Sequence, residues 1–283
     1  TRIPESMLPA LDFLGVDIPA ARVDGPTMHG NFTQTVVDRL QLLQLIRRHP
    51  DFDNDGVDDF DPSQIGYFGV SLGGMLGSIF LANTHSIPAA ILSISGGRLI
   101  QFLTDIPQLE PFRPALNTLA GGEVKAERVI LFAQTLIDSA DPATFAQFIL
   151  KDRLYADTSP PHLLMPVADQ DDTVPPQTAY SLARALGVPH VGPIFTPVFG
   201  LEHQPTPVSN NTAYGVTAGY FQFDRITRRD EVEMATHSQL PPSPEALLQT
   251  RHFLNGWLSG ETPEIIDPYE RLQTPALESD DID

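Results

Sequence analysis

The hydrophobic residues of this chain follow two patterns, short apolar runs that predict buried strands and longer amphipathic segments that predict helices. The strand-like segments are 16–23, 65–69, 89–95, 162–168 and 217–224. The helical segments outside the middle of the chain are 33–48, 72–81, 176–186 and 244–258. Between these elements, residues 24–30 are rich in turn formers, 188–212 are Pro-rich and expected to be irregular, and 225–234 are expected to form a charged loop. Because strands and helices alternate in this way, the sequence predicts an α/β fold in which helices flank a mostly parallel sheet.

The middle of the chain departs from this alternation. Residues 98–160 contain no strand pattern and are expected to form several amphipathic helices, including 126–136 and 142–150. We interpret them as a cap-like helical insertion between sheet strands, a natural cover for an apolar site. Residues 1–258 are predicted to form one domain, followed by an acidic, Pro-containing C-terminal tail at 259–283.

The composition argues against several classes of partner. The 283-residue chain carries 36 acidic and 17 basic side chains, and its net charge is −19. Nucleic acids and anionic membrane surfaces are polyanions, so neither is expected as the main partner. No apolar run approaches the roughly 18 residues of a membrane span. The absence of cysteine excludes disulfides and thiol chemistry.

The segment Gly69-Val70-Ser71-Leu72-Gly73 lies where a predicted strand meets a predicted helix. It fits the G-x-S-x-G pattern of a nucleophile elbow, in which a serine stands on a strained strand-to-helix turn. Glycine is expected on both sides because a Cβ there would collide with the neighbouring strand or helix. The Ser71 hydroxyl would then be free to react, and the Leu72 N–H would point at a developing oxyanion. The alternative is a Gly-rich turn without catalytic work.

A serine hydroxyl is a weak nucleophile, so a base and a carboxylate that orients the base must accompany it. In elbow folds the acid follows a later strand, and Asp169, Asp171 and Asp172 all follow the segment 162–168. The base belongs on a loop at the carboxyl end of a strand. His237, between the last strand-like segment and the last helix, is preferred, and His203 is the alternative base.

Residues 51–61, DFDNDGVDDFD, form a second informative segment. Carboxylates at the first, third and fifth positions, glycine at the sixth and aspartate at the ninth match the first part of a calcium loop. The predicted ligands are Asp51, Asp53, Asp55, Val57, Asp59 and Asp61. Pro62 replaces the usual bidentate glutamate, so Asp61 or Asp58 would have to complete the shell. Such a calcium would be structural, and a solvated acidic loop is the alternative.

With these residues in place, the chain resembles the α/β-hydrolase superfamily. Within it, the chain is similar to bacterial extracellular lipases and esterases whose elbow is preceded by an acidic D-x-D-x-D-G loop. The matching pieces are the GVSLGG elbow, the acidic loop, the VADQDDTVP acid turn, and TAGYFQFD followed by ATHSQLPPSPEA. The D-x-x-V-P setting of Asp171 resembles the acid turn of the superfamily, which favours Asp171 over its neighbours.

The resemblance implies a secreted, cell-surface or periplasmic enzyme that hydrolyses carboxylic esters through an acyl-serine, without an organic cofactor. It implies Ser71 as nucleophile, His237 as base and Asp171 as its orienting acid. Two other readings are a peptidase or thioesterase with the same triad, and a catalytically silent calcium-binding or interaction protein with this fold.

The front of the chain departs from the superfamily. Elbow hydrolases place three strands and an oxyanion loop before the strand that 16–23 would form, and too few residues precede it here. The chain begins at Thr1 without a signal-type apolar segment. We therefore expect a companion segment, N-terminal in the same precursor, to contribute the first strands and the second oxyanion donor.

Overall fold

The structure is a computed structural model that describes residues 8–17, 22–106 and 113–277. Its helices are α1 (Leu8–Phe13), α2 (Gly25–Arg48), α3 (Leu72–Ala82), α4 (Leu99–Asp105), α5 (Arg113–Ala120), α6 (Glu123–Ile137), α7 (Pro142–Leu150), α8 (Pro176–Leu186), α9 (Pro244–Leu258) and α10 (Pro268–Leu272). Its strands are β1 (Val16–Asp17), β2 (Arg22–Val23), β3 (Tyr67–Val70), β4 (Ala89–Ser93), β5 (His162–Ala168), β6 (His190–Val191), β7 (His203–Gln204), β8 (Ala218–Phe223), β9 (Arg225–Arg228) and β10 (Glu231–Met234).

Six strands form the central sheet in the order β3-β4-β5-β8-β6-β7, and all neighbouring pairs are parallel. Successive residues of β5 enter different hydrophobic clusters. Leu163 packs with residues of α3, α7 and α8, whereas Leu164 packs with residues of α9. The predicted α/β architecture is therefore confirmed: a parallel sheet is flanked by helices, which fits the α/β-hydrolase fold.

The strand β3 lies at one edge of this sheet. Its outer side pairs with no strand within the described ranges. Phe68 is 50% and Val70 36% exposed, whereas all five residues of β4 are buried. Because parallel strands are normally covered on both faces, β3 is unusually open for a strand of this kind.

The prediction of a sheet strand at 16–23 is wrong. In the structure, β1 pairs antiparallel with β2 in a two-stranded ribbon outside the central sheet, and residues 18–21 lie outside the described residues. The turn expected just after it is the beginning of α2. Asp24 caps this helix by accepting a hydrogen bond from the Thr27 N–H at 3.0 Å, and Pro26 occupies its first turn.

Three other segments refine the predicted organisation. The charged segment 225–234, expected to be a loop, is the hairpin β9–β10. The Pro-rich segment 188–212, expected to be irregular, contributes β6 and β7 to the sheet. Part of the predicted C-terminal tail packs on the domain, since buried Ile265 bridges to Val208.

Helices α4 to α7 fill the described part of the predicted cap-like insertion. Buried Asp141 links the beginning of α4 to the beginning of α7, because its carboxylate accepts hydrogen bonds from the N–H groups of Arg98 and Ala143, both at 2.8 Å. Among the described helices, none has the length and apolar character needed to cross a membrane.

Candidate active site

Ser71 stands on the turn between β3 and α3, as the elbow pattern predicts. Its backbone has φ 54° and ψ −119°, a combination that L residues rarely adopt. The Ser71 N–H donates to the Ser93 carbonyl of β4 at 2.9 Å, which anchors the turn to the sheet. Backbone strain of this kind is typical of functional turns that the surrounding structure holds in place.

Glycine is sterically required before the serine, at Gly69, but not after it, at Gly73. A Cβ at Gly69 would lie 2.5 Å from the Gly73 carbonyl oxygen. At Gly73, in contrast, no atom is found within 4 Å of an added Cβ, so the predicted collision there is wrong. The tight positions in α3 are Gly74, against Ser95, and Gly77, against the Tyr67 ring.

The structure brings Ser71, His237 and Asp171 together. His237 Nε2 lies 2.9 Å from Ser71 Oγ. His237 Nδ1 lies 2.9 Å and 2.8 Å from the two carboxylate oxygens of Asp171. The side chains of His237 and Asp171 are only 13% and 4% exposed, which shields their hydrogen bond from water.

The three aspartates that follow β5 have three different partners. Asp171 Oδ1 accepts from the N–H groups of Thr173 and Val174 at 2.9 Å and 2.7 Å, so its carboxylate is held in place while it contacts His237. Asp172 Oδ1 accepts from the backbone N–H of His237 at 3.1 Å. Among the three aspartates, Asp171 thus contacts the His237 ring, and Asp172 contacts the His237 backbone.

The buried Asp169 has a different partner, the half-buried Thr196. It accepts a hydrogen bond from Thr196 Oγ1 at 3.0 Å, and its other carboxylate oxygen has no partner among the described residues. Burial raises the pKa of Asp169, and the hydrogen bond from Thr196 opposes that shift. Asp169 is therefore a buried carboxylate that bonds to Thr196, and it is not the candidate that contacts His237.

His203, the alternative base, does not meet Ser71. Its Nε2 lies 2.8 Å from the Gly192 carbonyl, and its ring centroid is 6.2 Å from that of His190. Burial, with a smaller contribution from the neighbouring His203, lowers the pKa of His190 to about 4, and the hydrogen bond to the Pro193 carbonyl opposes that shift. His203 thus has its partners at the β6–β7 edge, whereas His237 is the candidate base that contacts Ser71.

Leu72 is the first residue of α3. Its backbone N–H is one of the helix N-terminal donors that have no acceptor within the helix. It follows Ser71 directly, so it is placed to bind negative charge that develops on a carbonyl oxygen attacked by Ser71. The Leu72 N–H therefore stays the candidate oxyanion donor that the elbow pattern predicts.

The acidic loop lies between α2 and β3. Asp51, Asp53 and Asp59 each offer a carboxylate oxygen, and these oxygens lie within 4.8 Å of one another, which is suitable for a metal ion. Gly56, with φ 92°, allows the chain to turn back around this point. Three residues thus converge, fewer than the six predicted.

Two other predicted carboxylate ligands, Asp55 and Asp61, do not belong to this group of three. Asp61 Oδ1 instead accepts from the backbone N–H and the hydroxyl of Ser63, and these bonds lower the Asp61 pKa. Asp55 accepts from the Val57 N–H at 2.8 Å, and the Val57 side chain is exposed. The loop therefore needs further ligands, from backbone or water, to fill a calcium shell.

Sequence reasoning missed two side chains that support the elbow and the base. Asp172 was considered only as a rival acid, although it holds the His237 backbone. Tyr67 lies in the predicted elbow strand, and its hydroxyl donates to the Gly73 carbonyl at 2.6 Å. Neither contact has a local pattern that would reveal it, because each depends on how separate elements pack.

No protein-family model matches the chain, and no curated protein matches it. Among solved structures, it is similar to an acylaminoacyl peptidase from Pyrococcus horikoshii, with 13% identity and a TM-score of 0.42 over 80% of this chain. An acylaminoacyl peptidase in complex with Z-Gly-Gly-Phe-chloromethyl ketone matches over 82%, with 14% identity and a TM-score of 0.42.

The DcsB complex with its substrate analogue matches over 80% of this chain and 71% of its own, with 10% identity and a TM-score of 0.39. The chain spans only 27% and 28% of the two peptidase chains. Its substrate is therefore inferred from the residues of its own site.

Proposed function

We propose that this chain is a serine hydrolase that cleaves carboxylic esters, an esterase or lipase that works through an acyl-serine. The observation that carries the proposal is the continuous hydrogen-bond chain from Asp171 through His237 to Ser71. Nucleophilic catalysis by serine requires an accessible serine, a histidine in contact with it and a carboxylate on the far ring nitrogen of that histidine. The strained elbow and the buried Asp171 supply the first and the last of these.

In the proposed reaction, Ser71 Oγ attacks the ester carbonyl carbon while His237 Nε2 takes the hydroxyl proton. Asp171 accepts the hydrogen bond from Nδ1–H and stabilises the imidazolium that forms. The Leu72 N–H binds the tetrahedral oxyanion. His237 then protonates the departing alkoxide, and a water molecule, deprotonated by the same Nε2, releases the acid and restores Ser71.

A panel of substrates tests the ester assignment. We expect nitrophenyl esters to be cleaved, with a dependence on acyl-chain length, and an aminopeptidase substrate to be left intact. Cleavage of the peptide or of a thioester in preference to the oxygen ester would move the same triad to peptidase or thioesterase chemistry. No turnover of any of them would favour the silent calcium-binding or interaction protein.

We further propose that a companion segment completes the sheet beside β3. Its support is the edge of β3, which pairs with no strand in the described part of the chain, together with the exposed Phe68 and Val70. An open apolar groove of about 400 Å³ on α2, between Val37 and Leu45, adds to it. An added parallel strand would pair the free backbone groups of β3 and bring a second oxyanion donor near Ser71. A natural protein that gives a single species of 31.0 kDa under denaturing conditions, fully active alone, would contradict this.

The calcium ion is likewise a proposal. Asp51, Asp53 and Asp59 would hold it in the acidic loop, where it would fasten the connection between α2 and β3. Calcium would supply loop stability and no step of the ester chemistry. We also propose a location outside the cytoplasm, in a secreted, cell-surface or periplasmic setting, and its support is the resemblance of the sequence to extracellular lipases and esterases.

A further inference from the structure

The Tyr67 ring fills the space between the elbow strand and the elbow helix. It lies where a Cβ would project from Gly77, and a Cβ on Gly69 would come within 2.7 Å of its Cε1. Its centroid is 5.4 Å from that of Phe80. Two glycines, one on each side of Ser71 along the chain, therefore exist in part to admit this one ring.

The Tyr67 hydroxyl reaches the first turn of α3. It donates to the Gly73 carbonyl at 2.6 Å, a short hydrogen bond in a half-buried setting where burial raises the pKa of the phenol. Gly73 is the residue after Leu72, whose N–H is the oxyanion donor. The bond therefore ties β3 to α3 on the far side of the strained Ser71 backbone.

This bond has particular value because β3 is an edge strand. The elbow is anchored to β4 by the Ser71 N–H, which donates to the Ser93 carbonyl, and Gly74 lies close to Ser95, just beyond β4. On the other side of β3, no strand among the described residues offers similar support. The Tyr67 hydroxyl adds a bond from β3 itself to the first turn of α3.

We propose that Tyr67 is a positioning residue for the elbow: its hydroxyl holds the first turn of α3 in register with β3 and so places the Leu72 N–H for the oxyanion. The consequence for turnover rests on the proposed serine-hydrolase function, whereas the consequence for the helix does not. Tyr67 touches neither the reacting atoms nor the triad, and it acts through the Gly73 carbonyl.

The test compares Tyr67→Phe with Tyr155→Phe. Tyr155 donates its hydroxyl to the Asn83 carbonyl at 2.7 Å, at the other end of the same helix, so both variants lose one phenol-to-carbonyl bond of α3. Amide hydrogen exchange is measured across 71–76 and 80–85. The rate at which a fluorophosphonate labels Ser71 is measured together with kcat and KM for a nitrophenyl ester.

We expect Tyr67→Phe to speed amide exchange in 71–76. It should also lower kcat and the labelling rate by about three- to tenfold, with KM unchanged, because a misplaced Leu72 N–H would weaken one hydrogen bond that matters in the transition state. Tyr155→Phe should speed exchange only around 80–85 and leave kcat unchanged. Unchanged exchange at 71–76 in Tyr67→Phe would overturn the proposal, whether or not the protein is labelled.

Three other results separate this proposal from the proposed function. Faster exchange at 71–76 with unchanged labelling and kcat would show that the bond does not serve the site. Equal losses of kcat in both variants, in proportion to their loss of Tm, would reduce Tyr67 to a general stabilising residue. A wild-type protein that is never labelled would refute the proposed serine hydrolase. The exchange data would still show whether the Tyr67 hydroxyl holds the first turn of α3.

Discussion

Two acidic loops of this protein use their carboxylates in opposite ways. In the loop after β5, Asp169, Asp171 and Asp172 each contact a different group, namely Thr196, the His237 ring and the His237 backbone. In the loop before β3, the aspartates mostly accept from the N–H groups of the loop itself and remain exposed. The loop after β5 thus gives each carboxylate its own partner, whereas the loop before β3 brings the carboxylates of Asp51, Asp53 and Asp59 close together.

The difference shows that the density of carboxylates does not decide their chemistry. Burial and the contact with the His237 ring nitrogen suit Asp171 to orient a base, because the hydrogen bond is shielded from water. The acidic loop is open to solvent, and its three converging oxygens suit a hard cation that would offset their repulsion. Substitutions of the same chemical type in the two loops should therefore have different effects.

The largest expected effect comes from Asp171→Asn. The asparagine cannot hold the His237 tautomer that accepts the serine proton, so kcat should fall about 10⁴-fold with the fold retained. Asp51→Asn is the matched control from the other loop and should leave kcat unchanged. The measurement is nitrophenyl ester hydrolysis beside a circular dichroism spectrum. A kcat within tenfold of wild type would remove Asp171 from the mechanism.

Metal removal should produce the next effect, on stability alone. At about a hundredfold excess over its Kd, calcium adds about 2.7 kcal/mol to the free energy of unfolding. Chelation should then lower Tm by roughly 5–10 °C in a chain of this size. Asp59→Asn should abolish that response, whereas Asp58→Asn, outside the group of three, should preserve it.

Activity of the folded enzyme should not depend on EDTA. If chelation changes neither Tm nor proteolysis within 51–61, the acidic loop binds no calcium. If EDTA stops the hydrolysis of a fully folded protein, the metal has a role in the chemistry that the position of the loop does not explain.

The smallest effect concerns Asp169. Burial raises its folded-state pKa, so ionisation costs stability at neutral pH, and that cost disappears as the pH falls towards the ordinary value of 3.8. Asp169→Asn keeps an acceptor for Thr196 and removes the charge. It should raise Tm by about 2 °C at neutral pH and leave it unchanged in acid. A lower Tm at neutral pH would show that the charge is stabilising.

The central strands and the positions of Ser71 and His237 could be predicted from patterns along the chain, whereas the resemblance to the acid turn of a known superfamily favoured Asp171 over its neighbours. The segments that became β4, β5 and β8 are short, buried apolar runs, as both faces of a parallel sheet require. The elbow pattern and the order of acid and base along the chain predicted Ser71 and His237, which the fold brings within hydrogen-bond distance.

The errors arose where distant contacts override a local pattern. Segment 16–23 has the residues of a strand, yet its described residues, 16–17 and 22–23, pair with each other in a small ribbon and with no described strand of the central sheet. Gly25 and Gly30 suggested a turn, although the cap provided by Asp24 starts α2 there. The contacts of Tyr67 and Asp172 depend on packing between elements, which periodicity does not encode.

The central claim is that His237 activates Ser71, and fluorophosphonate labelling tests it most directly because only an activated serine reacts. The account predicts that the wild-type protein and His203→Ala are labelled at similar rates, and that Ser71→Ala and His237→Ala are not labelled. Their loss of ester hydrolysis should approach 10⁶-fold, about the value for a missing triad member. Rapid labelling of His237→Ala, together with no labelling of His203→Ala, would contradict the account and identify His203 as the base.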